Sequence, residues 1–430
     1  MGNADQTPLP SLRAQTRNLL NDEKTPSCSG DGGCSSAMRA RSGRVVRFGE
    51  VTLPASKSES ARALMIAAYG GFAPDFENLS DSNDTLVLER ALRDIQNKKS
   101  IIDIADCGTA ARFLTTYLAC HDGDWLLTGT DRMRQRPMAP LMDTLLALGA
   151  DIQYVEKEGF LPLRIKGQPL QGGKVSVDMT QSSQFASSLL LAAPMFPQGL
   201  ELELLGCANS LPYLDMTLGM MCHFFAQAQR QGRMAVVKPK PYEKQPFTIE
   251  SDWTAASYWY EMAAFSEECE IRLFGLNGPS TGLGTLSLQG DAIIAEWMQQ
   301  LGVGTFVEND AIVLRKIPFE KRPFTFDFSQ HPDLYPTLAA TCVGLNVDAT
   351  FTGLDNLAIK ESDRVEAMHT ELAKLEDALI RFSSHNDHRI VMALAPLSIL
   401  VGPVSFDHPE VVEKSYPGFW KDASFLPIHG

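Results

Sequence analysis

Six segments of this chain share one pattern, in which polar or charged residues come directly before a run rich in alanine, leucine and other small apolar residues. The runs begin near residues 56, 106, 181, 252, 332 and 386, at intervals of 50, 75, 71, 80 and 54 residues. An apolar run behind a polar start predicts a helix that is capped at its N-terminus and buried along its length. The unequal intervals indicate a degenerate repeat rather than a solenoid of fixed period.

Two longer stretches, 142–166 and 293–315, predict the same succession of elements. Each has the pattern of a helix, then a glycine suited to the helix C-cap (Gly149 or Gly302), then two alternating strands that form a hairpin. Gly302 follows Gly149 by 153 residues, about half of the chain beyond residue 42. The sequence therefore predicts a duplicated two-domain α/β architecture with three units in each half. The apolar helices would lie at the centre of each domain, with the sheets outside.

Two segments predict connections rather than packed elements. The run 238–246 is rich in proline and lysine and is the candidate hinge, the alternative being an ordinary loop. Residues 1–42 are rich in small polar residues, lack periodicity and predict a flexible tail. The tail has no apolar core of a signal peptide. A plastid transit peptide stays open as an alternative, although four acidic residues in this segment count against it.

Composition narrows the class of protein. The chain has 430 residues, 44% hydrophobic and 21% charged, as expected for a globular protein of two large domains. No apolar run approaches the ~20 residues of a membrane span. A net charge of -14 argues against nucleic acid as the main partner.

Eight cysteines without a C-x-x-C pair favour a reducing cytoplasm. The pair His385 and His388 has no further ligand cluster beside it, so no metal site is predicted.

The stretch 53–68 contains the first of the six helix starts, with Ser56 or Ser58 as its cap and Lys57 and Arg62 in its first turns. Free backbone N–H groups and the positive end of the helix dipole suit such a start to an anion. Two cations at the same place favour a phosphate or carboxylate ligand. The alternative is an ordinary capped helix with solvated basic residues.

Further basic residues occur in both halves of the chain. The run 356–364 alternates charges, which is also typical of a solvated helix start with an i,i+3 pair between Glu361 and Arg364. Arginine presents a planar fork that fits carboxylate and phosphate, and lysine is a mobile charge that can also transfer a proton. Two anionic substrates would need such sets on both halves, with Asp333 and Glu361 as candidates for proton transfer. The other basic candidates are the cluster Arg132, Arg134 and Arg136, the pair His388-Arg389 at the sixth helix start, and Lys414.

Six motifs in a fixed order carry a family resemblance. They are Pro-Ala-Ser-Lys-Ser-x-Ser-x-Arg-Ala-Leu from residue 54, Gly-Thr-Ala-x-Arg from 108, Arg-Gln-Arg-Pro from 134, Ser-Ser-Gln-Phe from 182, Lys-Glu-Ser-Asp-Arg from 360 and Asn-Asp-His-Arg from 386. Together they resemble the enolpyruvyl transferase family and, within it, the 5-enolpyruvylshikimate-3-phosphate synthases. Each motif is moderately specific, whereas six in order over residues 44–422 are strongly so.

The resemblance implies two similar domains, each of three β-α-β-α-β-β units with helices inside and sheets outside (an inside-out α/β barrel), and a ligand cleft between them. The implied boundaries are 57–246 for the first domain and 43–56 plus 247–430 for the second. The implied reaction transfers the enolpyruvyl group of phosphoenolpyruvate to the 5-hydroxyl of shikimate 3-phosphate and releases phosphate. It needs cations around both phosphates and an acid/base pair, but no metal or organic cofactor. The expected partners are these two small molecules, with no nucleic acid and no membrane, and the expected state is a monomer.

The motifs also imply residue roles. The residues implied to bind shikimate 3-phosphate are Lys57, Ser58, Arg62, Ser182, Ser183, Gln184, Ser210, Asp333, Asn356 and Lys360. The residues implied to bind phosphoenolpyruvate are Lys57, Gly108, Arg136, Gln184, Arg364, Arg389 and Lys414. For catalysis, Asp333 is implied as the base on the 5-hydroxyl, and Glu361 with Lys57 as the groups that protonate the alkene and reverse that step.

The chain departs from the family pattern at a few positions. Ala55 replaces a usual glycine, Ala61 a usual asparagine, Leu211 a common lysine, and Asp106-Cys107 stands where Asn-Ala is usual. These positions lie beside the implied ligand contacts, so they bear on affinity and inhibitor response rather than on the reaction class. Between Lys374 and Asn386 the chain is too short for the hairpin that the family commonly has there, so the final unit is expected to be truncated.

Two alternatives follow from the same residues. The related enolpyruvyl transferase that acts on UDP-N-acetylglucosamine uses a loop cysteine as its acid. Cys107 and Cys120 lie outside that motif, and Ser-Ser-Gln-Phe favours the shikimate substrate. The second alternative is an inactive paralogue that binds shikimate 3-phosphate without turnover, which the shortened unit makes conceivable.

Overall fold

The computed structural model describes residues 45–206, 209–279 and 286–429. The predicted tail at 1–42 lies outside the described residues. None of the helices in the described ranges combines the length and apolar character needed to cross a bilayer. The elements up to residue 237 are β1 (Val45–Thr52), α1 (Lys57–Gly70), α2 (Asn83–Gln96), β2 (Ile101–Asp103), α3 (Gly108–Cys120), β3 (Gly123–Thr128), α4 (Ala139–Ala147), β4 (Asp151–Tyr154), β5 (Leu163–Gly167), β6 (Gly173–Asp178), α5 (Gln184–Ala192), β7 (Leu200–Leu205), α6 (Leu211–His223), β8 (Ala228–Gln231) and β9 (Met234–Val237).

The later part of the chain repeats this succession in a less regular form. Its elements are α7 (Trp253–Phe265), β10 (Glu268–Phe274), α8 (Ile294–Gln300), β11 (Val303–Glu308), β12 (Ala311–Lys316), β13 (Phe324–Asp327), α9 (Tyr335–Gly344), β14 (Ala349–Thr352), α10 (Arg364–Ala373), β15 (Arg381–Phe382), α11 (His388–Leu394), α12 (Ser398–Val401), β16 (Val404–Phe406), α13 (Phe419–Asp422) and β17 (Ile428–His429). Short 3-10 turns precede or follow several helices, among them Met133–Gln135, Pro332–Leu334 and Pro409–Lys414.

Three four-stranded sheets share one topology, in strand orders β2-β3-β5-β4, β6-β7-β9-β8 and β1-β10-β12-β11. In each, the first two strands are parallel and the last two form an antiparallel hairpin. The hairpins β4-β5 and β11-β12 are those that the sequence predicts around residues 157–159 and 309–310. Gly149 and Gly302 precede them, each with φ +89°, a left-handed conformation that glycine adopts without strain. The mixed α/β class and the repeated unit are thus confirmed.

The other units are smaller. Among the described residues, β13-β14 is a two-stranded and β15-β16-β17 a three-stranded sheet, both entirely parallel. In the unit with α1 and α2, Glu77 and Thr248 form an isolated parallel bridge. Between α10 and β15 the described chain forms a 3-10 turn at Lys374–Glu376 and no hairpin, so the β13-β14 unit lacks the hairpin that the three four-stranded sheets have. The expectation that the final unit is truncated was therefore misplaced by one unit, because the lost strands would follow α10, whereas β15 begins the next unit.

The buried apolar side chains form two clusters. The first core draws on residues 55–249, and the second core draws on Val51, Leu53 and residues 253–426. Helices lie at the centre of each: all 13 residues of α7 are buried in the second core. An apolar helix buried on every side is what the uninterrupted runs predict. We propose that the two cores correspond to the predicted domains, 57–246 and 43–56 plus 247–430.

The chain passes between the two cores at 54–56 and again at 249–253, and these segments lie side by side. The backbone N–H of Ser56 donates to the Glu250 carbonyl at 2.8 Å, and that of Asp252 donates to the Pro54 carbonyl at 2.9 Å. The candidate hinge at 238–246 instead packs on the first core, where buried Tyr242 donates its hydroxyl to the Leu191 carbonyl at 2.9 Å. The crossing therefore lies further along the chain than the proline-rich run.

Three of the six predicted helix starts have a side-chain cap from a serine or aspartate, whereas α5 and α9 begin without a side-chain cap hydrogen bond. The Ser56 hydroxyl accepts from the Glu59 N–H at 3.4 Å, and the Asp252 carboxylate accepts from the Ala255 N–H at 2.9 Å. At the sixth start, the Asp387 carboxylate accepts from the Arg389 N–H at 3.0 Å. Each cap satisfies an otherwise free donor, and the polar residues around the caps can then face the space between the cores.

Candidate active site

A polar pocket lies between elements of the two cores. Of the described residues, seven arginines and lysines and three carboxylates line it, in a chain whose net charge is -14. A positive pocket in an acidic protein is suited to small anionic ligands. The lining residues are Lys57, Ser58, Arg62, Asp84, Gly108, Thr109, Arg112, Arg136, Pro137, Gln181, Ser182, Ser183, Gln184, Phe185, Ser210, Tyr213, Asp333, Asn356, Ile359, Lys360, Glu361, Arg364, His388 and Arg389.

On the first core, α1 supplies a buried cation. The Arg62 side chain is 3% exposed, and its guanidinium donates to the Thr217 hydroxyl at 2.8 Å and to the carbonyls of Ser58 at 2.9 Å and Tyr213 at 3.1 Å. Burial lowers the pKa of Arg62 to about 10, which still leaves it charged at neutral pH. These acceptors and the Ser187 hydroxyl at 3.5 Å are all neutral, so an anionic ligand would complete the contacts of this buried charge.

A pair of arginines meets at the start of α3, where Gly108 leaves room for them. A methyl group on Gly108 would lie 2.5 Å from Arg136 Nη1 and 2.6 Å from Arg112 Nη1. Arg112 is 3% exposed, and burial together with Arg136 holds its pKa well below the usual value. The Nε atoms of both arginines have no hydrogen-bond partner among the described residues. Two close guanidiniums of like charge indicate a place for a phosphate or carboxylate group.

Hydroxyl and amide groups of α5 and α6 complete the side of the first core. The Gln184 amide donates to the Thr109 hydroxyl at 3.0 Å, which ties the start of α5 to that of α3. Ser210 adopts a left-handed φ of +58°, and its N–H donates at 2.9 Å to the carbonyl of Ser329 in the second core. Ser182 and Ser183 also line the pocket. Such groups suit the hydroxyls of a sugar-like ring.

On the second core, Asp333 lies among three cations. Its carboxylate is 2.8 Å from Arg364 Nη1, 2.8 Å from Arg389 Nη2 and 3.8 Å from Lys360 Nζ. Burial opposes ionisation of Asp333, but Arg389, Lys360 and Arg364 outweigh it and hold its pKa well below the usual value. The Tyr213 hydroxyl also donates to this carboxylate at 3.2 Å. The Asp333 carboxylate is therefore ionised and hydrogen-bonded at neutral pH, a state in which a carboxylate can accept a proton.

Arg364 is the most enclosed of these cations, at 1% exposure, and it contacts three carboxylates. Besides Asp333, it donates to Asp387 at 2.8 Å and to Glu361 at 2.9 Å. Burial would raise the pKa of Glu361, but Arg364, Arg136 and Lys414 hold it well below its usual value. Without ligands both candidate acids are thus ionised. Arg364 therefore mainly holds Asp333 and Glu361 in position, and few of its N–H donors are left to bind a further anion.

Lys57 and Lys414 share a carboxylate that the sequence analysis did not single out. Asp84, at the start of α2, is 3.0 Å from Lys57 Nζ and 3.1 Å from Lys414 Nζ. Burial alone would raise the pKa of Asp84, but Lys414 and Lys57 outweigh it and lower the pKa. Lys414 also lies 2.6 Å from the Asp106 carboxylate. Lys414, from the second core, therefore lies just behind the pocket surface and joins the two cores through Asp84 and Asp106.

His388 brings a neutral ring to the site. It is 1% exposed, and both ring nitrogens lack a hydrogen-bond partner within the part of the chain that the structure describes. Burial, with Lys57 and Arg389 nearby, lowers the pKa of His388 well below its usual value. An uncharged imidazole that lines the pocket can exchange a hydrogen bond with a bound ligand.

The structure brings together the residues that the motifs assign to the two substrates, and all of them line the pocket except Lys414. The sequence reasoning missed Asp84, Thr109, Arg112 and Tyr213 as lining residues, whereas it named His388 with Arg389 as a cationic cluster. Thr109 and Arg112 stand within a recognised motif, so their position was a usable signal. Asp84 had no such signal, because its partners Lys57 and Lys414 come from opposite ends of the chain. Within the described ranges, no group of three or more His, Cys, Asp or Glu residues is arranged to hold a metal ion.

Comparison with known proteins gives one consistent result. Residues 72–423 match the family model of EPSP synthase (3-phosphoshikimate 1-carboxyvinyltransferase). A 3-phosphoshikimate 1-carboxyvinyltransferase of Bacteroides fragilis is 42% identical over 393 residues, which span 86% of this chain and 93% of the relative. Another, from Mannheimia succiniciproducens, is 32% identical over 428 residues, with 88% and 96% covered.

Solved structures agree at the level of the fold. An EPSP synthase from Acinetobacter baumannii superposes with a TM-score of 0.66 at 20% identity, over 88% of this chain and 95% of that one. The enolpyruvyl transferase NikO from Streptomyces tendae superposes with a TM-score of 0.61 at 14% identity, with the same coverage. The two-domain inside-out α/β fold of these neighbours is the one predicted from the repeated helix starts. By sequence match over most of its length, with the fold and the positive pocket in agreement, the chain belongs to the EPSP synthase (3-phosphoshikimate 1-carboxyvinyltransferase) family.

Proposed function

We propose that this chain transfers the enolpyruvyl group of phosphoenolpyruvate to the 5-hydroxyl of shikimate 3-phosphate and releases phosphate. The observation that carries the proposal is the pocket between the cores. In it a buried, ionised carboxylate (Asp333) lies among cations of the second core, and cations of the first core line the same pocket. Two anionic substrates need such cations to approach each other. The family membership supports the same reaction.

The two sides of the pocket suit different substrates. Arg62, with Ser182, Ser183 and Ser210 near it in the pocket lining, offers a buried charge and hydroxyl partners for shikimate 3-phosphate. Arg112 and Arg136 at Gly108 offer a double guanidinium site for phosphoenolpyruvate. We assign Arg112 to this second set in addition to the residues that the motifs name. Gln184 contacts Thr109 at the border of both sets.

The base and the acid follow from the charge states. Asp333 is ionised and hydrogen-bonded, so it can take the proton of the 5-hydroxyl as that oxygen attacks. Glu361 is also ionised in the absence of ligands, so an anionic phosphoenolpyruvate beside it must raise its pKa before it can donate a proton. Lys57, an ammonium group 3.0 Å from Asp84, is the other donor to the alkene carbon. Phosphate elimination then returns the proton to this acid pair.

The UDP-N-acetylglucosamine reaction has less support. Cys107 is buried as the cap of α3, and burial raises the pKa of its thiol to about 12. It is absent from the pocket lining, as is Cys120. Neither described cysteine is therefore placed to act as the acid of that reaction.

We also propose that the chain acts as a cytoplasmic monomer. The five cysteines that the structure describes as free, Cys107, Cys120, Cys222, Cys269 and Cys342, agree with a reducing compartment. A sedimentation measurement of the full chain, with and without both substrates, tests the monomeric state. A dimer at micromolar protein concentration would contradict it.

The function itself is tested by phosphate release from the purified full chain. We expect release only when phosphoenolpyruvate and shikimate 3-phosphate are both present, since the attacking hydroxyl belongs to one substrate and the leaving phosphate to the other. Replacement of shikimate 3-phosphate by UDP-N-acetylglucosamine should abolish release. Release of phosphate from phosphoenolpyruvate with UDP-N-acetylglucosamine as the only acceptor would instead support the competing reaction.

The double guanidinium site gives a separate prediction. In Gly108→Ala, the new methyl group would displace Arg112 and Arg136, whose ends are flexible enough to move outward. We expect the KM for phosphoenolpyruvate to rise about tenfold or more, which corresponds to about 1.4 kcal/mol of lost binding, while the KM for shikimate 3-phosphate changes little. Steady-state kinetics with each substrate varied in turn measure both values.

Gly49→Ala is the matched control for this substitution. Gly49 lies in β1, and a methyl group there would meet no atom within 4 Å. The control should keep both KM values. Unchanged phosphoenolpyruvate kinetics in Gly108→Ala would show that Arg112 and Arg136 do not bind this substrate.

A further inference from the structure

The two segments that join the cores also hold the start of α1. Residues 54–56 lead from β1 into α1. Residues 249–253, the crossing segment, lead from the first core into α7. The Ser56 N–H donates to the Glu250 carbonyl at 2.8 Å. Because the chain passes between the cores at these two segments, any rotation of one core relative to the other must pivot at them.

Glu59 adds a side-chain contact to this crossing. It lies in the first turn of α1, is 1% exposed, and its Oε2 accepts from the backbone N–H of Glu250 at 3.0 Å. Both backbone groups of Glu250 are thereby bound to the start of α1. Lys57 and Ser58 directly precede Glu59 and line the pocket. The position of these two residues therefore depends on the contact between Glu59 and the crossing segment.

The neighbours of Glu59 disfavour its charge. On the crossing segment it faces the carboxyl groups of Glu250 and Asp252, and on its own helix it faces Arg62. Burial, reinforced by Glu250 and Asp252, raises the pKa of Glu59 to about 8, and the attraction of Arg62 does not offset this. Glu59 is therefore protonated at neutral pH.

Glu250 holds the negative charge of this pair. Its carboxylate accepts from Trp253 Nε1 at 2.8 Å, from the Asn277 N–H at 2.9 Å and from the Ser287 hydroxyl at 2.7 Å. Burial raises the pKa of Glu250 as well, but these donors oppose the shift. Of two neighbouring buried carboxyls, the one with three donors ionises first and the other keeps its proton.

We propose that Glu59 is a positioning residue for the binding of shikimate 3-phosphate. The neutral carboxyl of Glu59 holds the first turn of α1, with Lys57 and Ser58, against the crossing segment. This inference rests on the function proposed above. Ionisation of Glu59 adds a further negative charge beside Glu250 and Asp252. The resulting repulsion moves the first turn of α1 and weakens the binding of shikimate 3-phosphate at alkaline pH.

The test compares the full-length wild type with Glu59→Gln, whose neutral amide has the shape of the protonated acid. The KM for shikimate 3-phosphate and kcat are measured from about pH 6 to about pH 10. We expect the wild-type KM to rise several-fold above about pH 8 with a smaller change in kcat, and the variant to keep its neutral-pH KM throughout. Glu158→Gln, at an exposed hairpin end, should follow the wild type. Both substrates titrate identically in all three assays, so their own pKa values cancel.

A wild-type KM that stays constant through pH 8, or a wild type and Glu59→Gln with the same alkaline rise, would overturn the inference. Absence of phosphate release from the wild type at every pH would contradict the proposed function instead.

Urea unfolding without substrates gives an independent readout. The pKa of Glu59 is higher in the folded than in the unfolded chain, so this proton stabilises the wild type at low pH, and its contribution is lost as pH rises to about 8. Glu59→Gln should not show this loss, and equal pH slopes for both proteins would count against the inference.

Discussion

Asp333→Asn should lower kcat by about 10²- to 10⁴-fold while the chain stays folded, because the amide keeps the shape of the side chain but cannot take a proton. In the wild type, Arg364 and Arg389 each lie 2.8 Å from this carboxylate, so it is ionised and fixed in one orientation. The loss should fall on kcat rather than on either KM, since proton removal from the 5-hydroxyl occurs in the transition state. Asp333→Ala should show the same loss of turnover.

The matched control is Asp310→Asn, in the exposed turn of the β11-β12 hairpin with a φ of +60° that asparagine tolerates. This control should keep full activity. Circular dichroism and thermal unfolding establish that the Asp333 variants are folded. Near-normal turnover in folded Asp333→Asn would remove Asp333 from the mechanism.

Arg364→Met should destabilise the protein by about 3–5 kcal/mol, the usual cost of removing one partner from a buried ion pair. The substitution leaves Asp333, Glu361 and Asp387 without their common cation, and the site of Arg364 is only 1% exposed. Urea unfolding monitored by tryptophan fluorescence measures the change. Activity should also fall, because the positions of Asp333 and Glu361 depend on this guanidinium.

The pH dependence of this loss has a definite sign. Arg364 helps to hold the pKa values of Asp333 and Glu361 below their usual range, so its stabilisation is present above the unfolded pKa values and is lost as pH falls through the folded ones. The difference between wild type and variant should therefore be largest near neutral pH and shrink below about pH 4.

Arg164→Met, which removes an exposed pair with Asp124, should have only a small effect at any pH. An equally small effect of Arg364→Met at neutral pH would contradict the description of Arg364 as the residue that fixes the acids.

Local signals in the sequence were sufficient for much of this fold. Ser56, Asp252 and Asp387 cap helices because a short polar side chain at a helix start satisfies a free N–H wherever the helix packs. Gly149 and Gly302 end helices because the next turn needs a positive φ. The buried helices follow from their uninterrupted apolar runs. Such features depend on residues close together in the chain and could be predicted without the fold.

Features that depend on distant partners could not be read in this way. Asp84 looks like an ordinary acidic residue at a helix start, and its role appears only when Lys57 and Lys414 meet on it. Arg112 stood in a recognised motif, but its pairing with Arg136 requires the close approach that Gly108 permits. The buried state of Glu59 depends on the crossing segment at 249–253. The short run after α10 revealed a missing hairpin, whereas only the sheet order showed that it belongs to the β13-β14 unit.

The most direct test of the central claim is a ³¹P NMR spectrum of the purified full chain with equimolar phosphoenolpyruvate and shikimate 3-phosphate. We expect both substrate resonances to decline together while those of inorganic phosphate and of one new phosphate monoester grow in equal amounts, since each transfer releases one phosphate and keeps the 3-phosphate on the ring. Binding of shikimate 3-phosphate, seen as a perturbed resonance, without any inorganic phosphate would contradict the account and identify the chain as a binding protein without turnover.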